Sequence, residues 1–480
     1  METAAAIDKL DDRAGRLLEH LVLAHHRRRL SRHGHAAELD APAGGWAASA
    51  APARAGNEVE LLVDGSEALP RIADAIASAQ RSVWVAGWFF TPEFDLGHDG
   101  RAKLHDLLAG VAERADVRVL AWAGAPLPLF HPDRREVREC RDRLLRDAAL
   151  KMALDSRERP MHCHHEKLVI VDGEVAFVGG IDLTSYAGDR FDTPEHPPRG
   201  SVGWHDAVAC VRGPAVADVA GHFGLRWHEV TGEALPDVAA PAPAGTVELQ
   251  VVRTVPERIY DALPDGEFSI LESYLRALRG ARRLVYLENQ FLWSPEIVSV
   301  LAGKLRRPPD DRFRLVVLLP PKPNNGNDDT RGQLGVLIAA DGGAGRFLAC
   351  TLYQEGADAK PVYVHAKIGI VDDEWLTVGS ANLNEHSLFN DTEMNVVAHD
   401  AALAKSLRLR LWSEHLDADQ AELEGDPADL IDERWKPLAE EGLQRRQRGL
   451  PLTHRLLLLP HVSRRSGGIR GPVDGLLVDG

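Results

Sequence analysis

Residues 165–172 read His-Glu-Lys-Leu-Val-Ile-Val-Asp, and residues 365–372 read His-Ala-Lys-Ile-Gly-Ile-Val-Asp. Both are His-x-Lys-x4-Asp, repeated at an interval of 200 positions. The echo runs on downstream, where Gly179, Gly180 and Asp182 stand at the offsets of Gly379, Ser380 and Asn382. A lone histidine is usually a core or solvated side chain, and a lone lysine is usually surface. Two His-Lys pairs in matching settings have no reason in folding alone, so the pattern is read as functional.

The spacing has a direct structural meaning. Leu168-Val169-Ile170-Val171 is an apolar, β-branched run bounded by the turn signal Asp172-Gly173. Side chains alternate along a strand, so His165 and Lys167 project to one side at its start. The return strand Val175-Ala176-Phe177-Val178 ends at Gly179-Gly180, where backbone can approach a ligand closely. The second copy repeats the plan, with Trp375-Leu376-Thr377-Val378 as its return strand. An imidazole, an ammonium and small residues converging on one point suit a phosphoryl group. The lysine neutralises oxygens, and the histidine can attack phosphorus or protonate a leaving oxygen.

Outward from the motifs, each half opens with a strand, Val59–Val63 and Val247–Val252, and alternates strands with helices. Val83–Ala86 and Val117–Trp122 read as buried strands, and Val285–Phe291 is the counterpart of 83–89. The expected fold is α/β: two similar α-β-α layered lobes related by a pseudo-twofold axis, with the site at their interface. The expected boundaries are an N-terminal helix and linker over 1–57, a first lobe over 58–234, and a linker over 235–246. A second lobe over 247–416 and a C-terminal extension over 417–480 complete the division. Within 1–35, Ile7, Leu10, Leu17 and Leu21 recur at helical spacing before the basic run His25-His26-Arg27-Arg28-Arg29. That run reads as helix-end cations packed on the body in preference to a lipid-binding segment. Residues 320–333 read as a loop at a substrate rim.

The composition is that of a globular protein, 44% hydrophobic and 27% charged. A formal charge of −16 argues against a general nucleic-acid binder and gives no long-range attraction to an anionic membrane. Cys140, Cys163, Cys210 and Cys350 are scattered, implying neither a disulfide framework nor a zinc site. With no spanning segment and no signal-peptide core, the expectation is a monomeric, bacterial, cytoplasmic protein, meeting a membrane only peripherally.

The double motif with Gly180-Ile-Asp182 and Ser380-Ala-Asn382 resembles the phospholipase D superfamily over about residues 58–416. Trp204-His205-Asp206, Gly180-Ile181-Asp182-Leu183 and Glu288-Asn289-Gln290 resemble true phospholipases D. The resemblance implies a phosphodiesterase that cleaves or exchanges the headgroup of a glycerophospholipid through a phosphohistidine. It also implies that Lys167, Lys367 and Asn382 cradle the phosphoryl oxygens, with one of His165 and His365 attacking and the other protonating the leaving alcohol. His165 is expected to attack. Asp206 and Glu393, 41 and 28 residues past the histidine of the same half, are then the orienting carboxylates. Asp172 and Asp372 are structural. Gly180, Ser380, Glu288, Asn289 and Gln290 line the substrate, and Asp182 pairs with a cation such as Lys167. No cofactor or metal is implied, and a phospholipid at a membrane surface is the partner. The competing readings are a cardiolipin-synthase-like phosphatidyltransferase, a nuclease or other phosphodiesterase, and a non-catalytic membrane scaffold. Missing N-terminal membrane helices, the acidic charge and the intact motifs disfavour these in turn.

Overall fold

The computed structural model describes residues 19–459 apart from 98, 99, 101, 128, 129, 187, 189, 198–201 and 323–326. In the first half of the chain the strands are β1 (Arg54–Val63), β2 (Ser82–Gly87), β3 (Asp116–Trp122), β4 (Lys151–Asp155), β5 (Leu168–Val171), β6 (Val175–Gly179), β7 (Trp204–His205) and β8 (Ala207–Arg212). In the second they are β9 (Val247–Val255), β10 (Glu267–Phe268), β11 (Leu284–Glu288), β12 (Arg314–Leu318), β13 (Phe347–Leu352), β14 (Tyr363–Val364), β15 (Ile368–Val371), β16 (Trp375–Gly379), β17 (Glu393–His399) and β18 (Leu456–Leu458).

Sixteen of these strands make one sheet, joined in the middle by the antiparallel pair β1–β9. Read outward from that join, one side runs β1-β8-β6-β5-β2-β3-β4 and the other β9-β17-β16-β15-β11-β12-β13. The order and the strand directions are the same on both sides. The outer trios β2-β3-β4 and β11-β12-β13 are parallel, and the inner pairings are antiparallel.

Helices cover both faces, which is why the motif strands are continuous apolar runs with no polar alternation. In β5, Leu168 and Ile170 join the core shared with the helices Val216–Thr231 and Ala401–Leu416, together with Trp227, Trp412 and Trp435. Val169 and Val171 point the other way, into the core under the helices Asp64–Ser78 and Leu104–Ala112. The helices Ser269–Gly280 and Pro295–Arg306 close the corresponding face of the second half. The result is a three-layered α/β architecture.

Several expectations needed correction. The first strand begins at Arg54, inside the expected linker, because Ala47, Ala48 and Ser49 are already anchored by Gln250 and Glu272. The helix Arg134–Leu144 and strand β4 precede the first motif, where no element had been expected. The helix is announced by an Asp133/Glu136 capping box. The segment 320–333 is not wholly loop, since the helix Asn327–Asp341 starts within it. Past 417, β18 adds an edge strand to β13, and the helix Lys436–Gln447 precedes it in the chain.

Residues 19–32 are helical, while the expected start of that helix lies outside the described residues. Its basic run is packed and paired. Arg29 bonds Glu257 and the Phe389 carbonyl, His26 bonds Glu296, and Arg27 bonds Asp40.

Candidate active site

Asp172 and Asp372 hold the hairpins that carry the motifs. The Asp172 carboxylate accepts the backbone N–H groups of Gln80, Arg81 and Ser82, and Asp372 accepts those of Arg282, Arg283 and Leu284. Both aspartates sit at positive φ, 55° and 56°, which a short polar side chain tolerates. Burial works against charge on Asp172, but those N–H donors outweigh it and lower its pKa. These two residues act as clasps at the far end of each strand from its histidine.

At the near end the two halves cross. The His165 N–H donates to the Thr392 carbonyl at 2.9 Å, and the His365 N–H to the His205 carbonyl at 2.8 Å. Parallel pairing of β7 with β14, and the bridge between His164 and Thr392, fix that exchange. Each histidine is thereby set against the carboxylate that follows in the other half. Nδ1 of His165 meets Glu393 Oε1 at 2.9 Å, and Nδ1 of His365 meets Asp206 Oδ2 at 2.6 Å. The sequence reading named both carboxylates as orienting groups, and the sheet decides which histidine each one meets: β8 and β17 flank the central join, so the residues at the start of each reach across it.

The lysines turn back on the chain beside their histidines. Lys167 Nζ donates to the His165 carbonyl at 2.6 Å and lies 3.2 Å from Asp182 Oδ2. Lys367 Nζ donates to the His365 carbonyl at 2.5 Å and to Gln290 Oε1 at 3.3 Å. Asn382 donates to the same Gln290 oxygen at 3.4 Å, and its own buried carbonyl oxygen has no partner among the described residues. Gln290 in turn donates to the Tyr363 hydroxyl at 2.9 Å. His165, Lys167, His365, Lys367, Asp182 and Asn382 are all buried.

The remaining expected lining residues divide. The Ser380 hydroxyl donates to Glu393 Oε2, and Ser387 donates to Glu393 Oε1 at 2.5 Å, so Ser380 positions a carboxylate and not a substrate. At Gly180 an added Cβ would lie 2.1 Å from Asp206 Oδ1, so the missing side chain makes room for that carboxylate. Glu288 is away from the lysines, fully buried against His205, His415 and Tyr286. Asn289 accepts the N–H groups of Phe291 and Leu383 through its side-chain oxygen. The reading of Glu288 and Asn289 as substrate contacts is therefore corrected. Of Glu288-Asn289-Gln290 only the last reaches the site, through its side-chain oxygen, which accepts from Lys367 and Asn382.

Arg190 was missed as a site residue. Its guanidinium lies 3.2 Å from the centre of the Trp204 ring, and Nε and Nη1 have no partner among the described residues. Burial lowers its pKa to about 10, opposed by the charges of Asp182 and Asp206. Only the sequence word Gly188-Asp189-Arg190 hinted at it.

The electrostatics follow from burying so many ionisable groups together. Burial pushes Glu393 up to about 8 against the pull of Lys167, and Asp206 up to about 7 against the pull of Lys367. It pushes Lys367 down to about 7 in spite of Asp206. His365 is held well below the usual imidazole range by burial, then by Lys367, Arg190 and Lys167. His165 also acts on His365, and Lys167 on Lys367, so both motifs contribute to one field.

Fold and site together define a two-sided α/β protein whose halves each complete the other's histidine. A family model described as phospholipase D matches residues 353–473. Phospholipase D A of Dictyostelium discoideum is 27% identical over 466 residues, covering 76% of this chain and 36% of that protein. The major cardiolipin synthase ClsA of Bacillus subtilis is 25% identical over 367 residues, covering 73% of this chain and 67% of that protein. The crystal structure of a phosphatidylserine synthase of Haemophilus influenzae superposes with a TM-score of 0.51 at 12% identity, over 83% of this chain and 96% of that one. These similarities support a place for the chain in the phospholipase D superfamily. It spans 36% of the length of the Dictyostelium relative, and no described helix is long and apolar enough to cross a membrane.

Proposed function

We propose that the protein is a phospholipase D-type phosphodiesterase that hydrolyses or exchanges the headgroup of a glycerophospholipid. The observation that carries this reading is the crossed pairing, His165 with Glu393 and His365 with Asp206, beside two lysines. A carboxylate on Nδ1 fixes the tautomer and orientation of each imidazole, which makes Nε2 the nitrogen to attack phosphorus or protonate an alcohol. His165 attacks phosphorus and forms the phosphohistidine while His365 protonates the departing alcohol. Water or a second alcohol then displaces the phosphorus from His165, with His365 taking its proton. Lys167, Lys367 and Asn382 meet the charge that develops on the phosphoryl oxygens. In the free protein His365 is held neutral partly by Lys367, Arg190 and Lys167. A phosphodiester entering among those cations offsets their field and lets His365 take up the proton it must deliver.

The same chemistry serves a cardiolipin-synthase-like phosphatidyltransferase, and the 25% identity to such an enzyme supports keeping that reading second. The internal duplication, a phospholipid-bearing membrane surface as the place of action, a monomeric state and a bacterial cytoplasmic setting belong to the same proposal. The equal strand order on the two sides of the sheet supports the first of these.

The test is product analysis from mixed phospholipid vesicles with added ethanol. Phosphatidic acid and phosphatidylethanol are the expected products. Formation of cardiolipin from phosphatidylglycerol without free headgroup would select the second reading, and cleavage of nucleic acid with no lipid product would overturn both.

A further inference from the structure

Behind Asp206 lies a second group of titratable side chains that the proposed reaction does not use. Asp64 opens the helix Asp64–Ser78 with a φ of 61°, His205 ends β7, and Glu414 lies in the last turn of the helix Ala401–Leu416. His196 approaches them from the segment before β7. One nitrogen or oxygen from each of the four lies within 4.8 Å of the others. His205 Nδ1 is 3.0 Å from Asp64 Oδ1 and 3.2 Å from Glu414 Oε1, and His196 Nε2 is 3.0 Å from that same glutamate oxygen. Despite these distances, His205 Nδ1 forms no hydrogen bond with either carboxylate. Asp64 Oδ2 is buried with no partner among the described residues.

The outward nitrogens of both imidazoles are taken. His205 Nε2 bonds Glu288 Oε2 at 2.8 Å, and His196 Nδ1 bonds Asp192 Oδ2 at 3.2 Å. A carboxylate behind each imidazole is what holds a metal-ligating histidine in its tautomer and orientation. Donors around a tetrahedral ion with bonds of about 2.0–2.2 Å stand roughly 3.4 Å apart, close to the spacing here.

We propose that Asp64, His196, His205 and Glu414 form a binding site for a divalent metal ion of the zinc type. Two imidazoles among four donors favour zinc over calcium or magnesium, which take oxygen ligands. Four protein ligands close the coordination sphere, so the role is structural and no reaction step runs through it. The ion fastens the first half, through Asp64, His196 and His205, to the second, through Glu414. It also steadies Asp206, whose N–H donates to Asp64 Oδ1 at 3.0 Å. The four ligands come from four separate segments, so no spacing in the sequence announces them.

The test is elemental analysis of the full-length, untagged chain, stripped with chelator, reloaded with Zn²⁺ and freed of excess metal. One tightly held equivalent is expected, and Co²⁺ in its place should give the visible absorption of a tetrahedral ion. His196→Gln should lose the equivalent, while His386→Ala, in a separate His162/His386/Asp391 group, should keep it. Asp192→Asn removes only the carboxylate behind His196 and should weaken affinity about 10–100-fold. Circular dichroism checks that each variant is folded, and if His196→Gln is not, the Asp192→Asn titration decides. Absence of a tight equivalent, or one unchanged in folded His196→Gln and in Asp192→Asn, would leave the four side chains a hydrogen-bonded ion network and overturn the proposal.

Discussion

The two half-sites share a frame and differ in how their charges are met. On the first side Lys167 has a carboxylate, Asp182, at 3.2 Å; on the second Lys367 meets the neutral oxygens of the His365 carbonyl and the Gln290 amide, with no carboxylate at salt-bridge distance among the described residues. Glu393, partner of His165, is held by the hydroxyls of Ser380 and Ser387. Asp206, partner of His365, has its own Ala207 N–H at 2.8 Å and the space left by Gly180. Equal backbones therefore carry unequal electrostatics. The positive charge left for an anion is concentrated on the Lys367 side.

The sharpest break between the half-sites concerns the histidines. His165→Asn and His365→Asn should each lower kcat on phospholipid by at least about 10⁴-fold, since residues acting as a unit fail together. A p-nitrophenyl phosphodiester, whose leaving group needs no proton, should separate them. His365→Asn should accumulate an alkali-stable phosphohistidine at His165, and His165→Asn should form none. Rapid quench and intact mass read this out. An adduct at His365 in His165→Asn would reverse the roles without touching the fold.

The lysines should differ next. Lys367→Ala and Lys167→Ala should each cost about 10²–10³ in kcat, the scale of one lost donor to transition-state charge. Lys167→Ala also strands the buried Asp182, so adding Asp182→Asn should recover part of its loss. No equivalent second change exists beside Lys367, where no carboxylate among the described residues faces the ammonium at salt-bridge distance. Equal, unrescued losses at both positions in folded variants would show that the asymmetry carries no weight.

The smallest expected effect is on pH dependence. Lys367, pushed down to about 7, loses its charge as pH rises through that value, while Asp206, pushed up to about 7, gains charge over the same range. Both changes weaken an anion. Affinity for inorganic phosphate or vanadate should therefore be greatest below pH 7 and fall above it, by at most about tenfold per unit for each proton. Calorimetry on the wild type and on Lys367→Met should show the slope reduced in the variant. A pH-independent affinity between about 6 and 8 in the wild type would mean that bound anion meets neither group.

Much of this was legible in residue order. The repeated His-x-Lys-x4-Asp located both motif strands, because strand periodicity and an Asp turn are local properties. The same locality made Asp172 and Asp372 readable as turn residues. The continuous apolar runs announced a sheet buried on both faces, and the pairing of Asp182 with Lys167 followed from charge alone. Tertiary structure decided what depends on crossing the β1–β9 join. It matched His165 with Glu393 and His365 with Asp206, turned Glu288 away from the site, and brought Arg190 to it. It also gathered Asp64, His196, His205 and Glu414 from four segments. These contacts span large separations along the chain and carry no periodic signal. Local pattern sets which residues share a strand, while sheet order sets which strands share a pocket.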